Sequence, residues 1–151
     1  MRTFAEMEVV ASGELDSYRF RTERAGRDVL HRIVVTGPIN LQRRIPLYRA
    51  TLEATASSRY FCILDNRSGF ENSFAFNDMK FFADMMGKAG ITHVYGATIT
   101  PDLEYPKIVE LAGIALTMSS LRGELLSTSD EEEAEAFIRE RLESTQDREQ
   151  D

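Results

Sequence analysis

Three strand-like runs, Tyr60–Asp65, His93–Thr98 and Leu121–Leu126, each lead into a helix-like segment. Repeated strand–helix alternation implies consecutive β-α units and a largely parallel sheet. The first run reads Phe61-Cys62-Ile63-Leu64, apolar throughout, as a strand covered on both faces would be. The pattern therefore predicts an α/β chain with helices on the sheet faces.

The N-terminal part has a different rhythm. Met7–Ser12 alternates weakly, and Gly13-Glu14-Leu15-Asp16 reads as a turn. Tyr18-Arg19-Phe20-Arg21 alternates strictly, as a half-buried strand should. After a second turn, Ala25-Gly26-Arg27-Asp28, a third strand runs over Val29–Thr36. This portion predicts an antiparallel meander that enters the α/β body.

Helices fill the remaining intervals. Leu41, Ile45, Tyr48 and Leu52 form one amphipathic stripe. Pro46 lies inside it and predicts a kink or a late helix start. Arg43, Arg44 and Arg49 form its solvated face. The next helix spans Phe74 to about Lys88, with Ser73 as its cap and Phe74, Phe81, Phe82, Met85 and Met86 as its apolar residues. A third, from Pro101-Asp102 to about Met118, carries Ile108, Leu111, Ala112 and Ala115 on one face. The last starts near Ser129, buries Ala134, Phe137, Ile138 and Leu142, and places Glu131 and Glu132 where the helix dipole favours acids. The expected organisation is one domain over residues 1–143, with 144–151 a frayed polar tail.

Charge and composition narrow the function classes. The net charge of −7 sits in the segment from Ser129 to Asp151, so the rest of the chain is neutral. A neutral body disfavours non-specific nucleic-acid binding. The apolar runs are too short to span a bilayer, so no stable membrane insertion is expected. Glu6 and Glu8 stand where a secretory signal would be apolar, and Cys62 is the lone cysteine. A cytoplasmic location is the expectation.

No nucleophile–base set or phosphate-binding loop is evident. His31 and His93 lack a second histidine at metal-pair spacing, so no metal or cofactor is expected. Cys62, amid apolar strand residues, should behave as a small hydrophobe. The most suggestive stretch is the loop from Asp65 to Ser73, which contains Ser68 and Gly69. It joins a strand end to a helix start, where ligands of parallel sheets gather and anions find backbone N–H groups.

In its order of elements the chain resembles the STAS-like (SpoIIAA-like) bacterial proteins, relatives of anti-sigma-factor antagonists. The resemblance covers about Ile33 to Phe137. It rests on a strand ending at Gly37, the Ile45-Pro46 step before Leu47–Leu52, and a strand ending at Asp65. Gly69-Phe70, Asp78-Met79-Lys80-Phe81, the turn Thr98–Asp102 and the run from Glu131 to Phe137 complete it. It implies a right-handed stack of β-α units and a non-enzymatic module for regulatory protein–protein interaction. In such domains a serine in an Asp-Ser-Ser-Gly motif is phosphorylated. The nearest match here, Asn72-Ser73-Phe74-Ala75, has neither the aspartate nor the glycine. The resemblance places the regulatory site at Asp65, Ser68, Gly69 and Ser73. A likeness to CRAL-TRIO lipid carriers implies a second reading, a small apolar ligand held near Tyr48, Phe74, Phe81 and Met85. An enzyme using Asp65 is a third. The partners expected are therefore a regulatory protein, a small apolar ligand or a second copy of the chain.

Overall fold

The computed structural model describes residues 7–150. Three antiparallel strands come first: β1 (Glu8–Leu15), β2 (Tyr18–Ala25) and β3 (Asp28–Val35). Then follow α1 (Leu41–Glu53), β4 (Arg59–Asp65), α2 (Phe76–Lys88), β5 (His93–Ile99), α3 (Tyr105–Met118), β6 (Arg122–Thr128) and α4 (Glu131–Gln150). All six strands form one sheet in the order β1-β2-β3-β4-β5-β6, parallel from β3 onward. Tyr60–Leu64 and Val94–Ile99 are parallel neighbours, as the β-α spacing predicts.

Strand pleat divides the core in two. Leu30, Phe61, Ile63, Tyr95, Ala97 and Ile99 face Ala134, Ile138 and Leu142 of α4. The alternate residues face α1, α2 and α3: Tyr60 and Val94 pack with Ala83, Met86 and Leu116, and Tyr18, Phe20 and Ile33 with Leu47. Parallel strands laid down in sequence order with right-handed crossovers put every crossover helix on the same face. Helix α4 follows the last strand and is left to cover the other face.

Several local expectations need correction. Gly13 does not turn the chain. It pairs with Phe20 inside β1, where a Cβ would lie 2.8 Å from the Phe20 ring. The first turn instead falls at Asp16-Ser17, with Ser17 at φ 71°. Helix α1 does not start late: it begins at Leu41 and runs on through Pro46. Its cap is Asn40, whose side chain accepts from the Arg43 N–H at 2.9 Å. The buried residues of α1 are Arg44, Leu47 and Thr51, so Arg44 does not belong to a solvated face. On α3, Leu111 is exposed, whereas Ala115 and Leu116 are buried.

Part of the expected tail is helical and makes tertiary contacts. Helix α4 continues to Gln150, and Thr145 is buried against the β2–β3 turn, its hydroxyl 3.3 Å from Asp28 Oδ2. Gln146 donates to the Ala25 carbonyl. Those two acceptors give the last turns a tertiary reason to stay helical. Asp151 lies outside the described residues. Among the described residues, no helix is long and apolar enough to cross a membrane.

Candidate functional site

Between the sheet and helices α1, α2 and α3 lies an apolar cavity of about 150 Å³. Its floor is the helix-facing row of β4 and β5: Tyr60, Cys62 and Leu64, then Val94, Gly96 and Thr98. Gly96 deepens this floor. A Cβ there would sit 3.3 Å from Cys62 Sγ and 3.2 Å from Leu125 Cδ2. Glycine within a strand commonly marks such close approach. Leu47 and Tyr48 of α1, Met79, Phe82 and Met86 of α2, and Ile108 and Ala112 of α3 form the walls. Tyr48 stacks on Phe82 with centroids 4.2 Å apart.

The wall from α2 is one residue out of phase with expectation. Tyr48 and Phe74 do line the cavity, but Phe81 is 45% exposed and Met85 is only half-buried; neither lines it. Helix α2 starts at Phe76, and its inward residues are Met79, Phe82, Ala83 and Met86. These fall at the i, i+3, i+4, i+7 spacing that an inward stripe requires. That spacing was available as a signal, and the large side chain of Phe81 obscured it.

One end of the cavity is polar. Glu71 lines it and is 5% exposed; Arg44, 3% exposed, approaches Glu71 Oε1 with Nη2 at 3.5 Å. The Arg44 guanidinium lies 3.7 Å over the Phe74 ring and donates to the Ser73 carbonyl at 3.1 Å. Asn66, fully buried, fixes the Glu71 backbone through two hydrogen bonds. Its side-chain amide donates to the Glu71 carbonyl at 2.8 Å and its Oδ1 accepts from the Glu71 N–H at 2.9 Å. Burial pushes the Glu71 carboxyl upward, while Arg44 and the nearby Tyr105 hydroxyl pull it back. Among the described residues, neither Glu71 Oε2 nor Arg44 Nε has a hydrogen-bond partner. An unsatisfied buried polar atom is costly, more so in a charged group. Burial also raises the tyrosines around this end, Tyr18, Tyr48 and Tyr105, and pushes the Cys62 thiol up to about 12. A thiol so protonated is a poor nucleophile.

The loop residues singled out in the sequence are not brought together in this cavity. Pleat sends Asp65 to the α4 side of the sheet, where Arg67 binds both carboxylate oxygens at 2.9 and 2.7 Å. That pairing holds its pKa below the usual carboxylate range. The Ser68 hydroxyl donates to the Val35 carbonyl at 3.1 Å, and Gly69 takes φ 78°. Ser73 is exposed and does not cap α2. The cap position belongs to Ala75, with no side-chain bond, because residues 71–75 run without helix as Arg44 holds Ser73 and Phe74. The polar end had no linear signature, since Arg44 and Glu71 stand 27 residues apart.

Neither histidine lines the cavity. His31 is fully buried between Thr22, 2.7 Å from Nδ1, and Thr55, 2.8 Å from Nε2. His93 is bonded to Thr92 and stacked on Tyr95. Among the described residues, no cluster of three or more His, Cys, Asp or Glu side chains could hold a metal ion.

Fold and site together describe an α/β protein with a sheet-floored apolar cavity under three helices. No family model, curated protein or solved structure matches the chain.

Proposed function

We propose that this chain is a non-enzymatic, STAS-like sensor module that binds a small apolar molecule in the cavity under α1, α2 and α3. The observation that carries this reading is the cavity, about 150 Å³ and walled by apolar side chains. An apolar void of roughly this size holds one aromatic ring, whereas drug-sized ligands occupy roughly 300 Å³ or more. A ring or a short branched chain fits; a full lipid tail does not.

The regulatory reading is joined to this one through Glu71. This residue lies in the loop that follows Asp65 and also lines the cavity. The same loop exposes Ser73, and 44% of Phe70. Occupancy of the cavity is thereby displayed to a partner protein at the surface. NMR titration of the full chain with toluene tests the reading. Saturable amide shifts in residues 65–73 and along α2 are the expected result, abolished by Ala112→Leu, which fills the void. Absence of saturable shifts, or shifts that survive Ala112→Leu, would reject it.

A further inference from the structure

Resting on that reading of the cavity, we infer that its ligand is a neutral molecule with one hydrogen-bond donor, a hydroxyl or N–H, which Glu71 Oε2 accepts. Four observations lead there. Oε2 is buried and without a partner among the described residues, and its residue lines the cavity. The other oxygen, Oε1, is already engaged by Arg44. Asn66 fixes the Glu71 backbone from both its N–H and its carbonyl, so the side chain is anchored. The remaining walls are mainly apolar, so one polar contact orients the ligand while the rest supplies burial.

Charge selects the donor's class. Arg44 and Glu71 already neutralise each other, so an ammonium would add an uncompensated charge to a dry site. An anion would meet Glu71 first, because Arg44 itself does not line the cavity. A methyl or ether group at this end would leave Oε2 unpaired. A hydroxyl or N–H supplies the missing bond without changing net charge. A site built to bond such a group discriminates strongly against the analogue lacking it.

The test compares phenol, anisole, toluene and benzylamine on the full chain by calorimetry or NMR titration. Phenol should bind at least about tenfold more tightly than toluene or anisole, the worth of one satisfied buried hydrogen bond, and benzylamine should not saturate. The Arg44→Met, Glu71→Met double variant replaces the ion pair by apolar side chains of similar length, which folds tolerate better than loss of one partner. It should lose the phenol preference, binding phenol no more tightly than toluene. Equal binding of phenol and toluene, anisole matching phenol, or a preference retained in the double variant would overturn the donor inference while the cavity reading stands. Failure of every probe would remove both. If the double variant does not fold, a crystal structure with phenol decides. A phenol oxygen within hydrogen-bond distance of Oε2 supports the inference, and a ring turned the other way, or an ordered water retained on Oε2, refutes it.

Discussion

His31 titrates far from its ordinary range: burial drives its pKa down to about 3 from 6.5. The folded state therefore holds the neutral ring, and the unfolded chain takes up the proton first as the pH falls. Stability from this group is complete above about pH 6.5 and is lost progressively toward pH 3, at roughly 1.4 kcal/mol per unit. Denaturant melts should show a loss of about 2 kcal/mol between about pH 6.5 and 5. In His31→Gln, which keeps hydrogen-bonding capacity but cannot ionise, that slope should disappear. Glu71, with its raised carboxyl, acts in the opposite sense, and the same comparison separates the two. A second residue-scale contrast concerns neighbours on α2. Phe82 is 2% exposed and Phe81 45%, so Phe82→Ala should cost about 3–5 kcal/mol and Phe81→Ala below about 1 kcal/mol in the same melts. At this scale the sequence was least legible. The buried pairing of Arg44 with Glu71 joins distant segments, and no periodicity encodes it.

Elements were more legible than their ends. Every strand and helix expected from alternation or helical spacing is present, because those periods report directly which face is buried. Boundaries failed where tertiary contacts outweighed local preference. Ser73 has the chemistry of a cap, yet Arg44 and Phe74 hold its segment out of the helix. Gly13 has the look of a turn, yet it makes room for the Phe20 ring. Cap substitutions separate these cases. Asn40→Ala should lower stability by about 1 kcal/mol, whereas Ser73→Ala should stay within about 0.5 kcal/mol, both read from urea midpoints. The end of α4 makes a third case. Truncation after Glu143 deletes the donors from Thr145 and Gln146 to Asp28 and Ala25. Ser57 and Arg59 still bond Asp28, so a loss of about 1–3 kcal/mol, rather than unfolding, is expected in the melting curve.

For the whole molecule, the alternation of strands and helices gave the class, and the crossover rule gave the helix face; neither could show that packing stops short of filling the space beneath α1–α3. That depends on the absence of a side chain at Gly96 and on the phase of α2. Helix α4 has a consequence in time. Its contacts to the meander join residues 103 to 121 positions apart: Arg32 to Glu135, Asp28 to Thr145 and Ala25 to Gln146. The strands thus wait for α4 to leave the ribosome before Leu30, Phe61 and Tyr95 are covered. Chains dominated by such distant contacts fold slowly, over roughly milliseconds to seconds. During synthesis this sheet presents a bare apolar face until α4 has emerged, and that interval is when a chaperone would have most to hold.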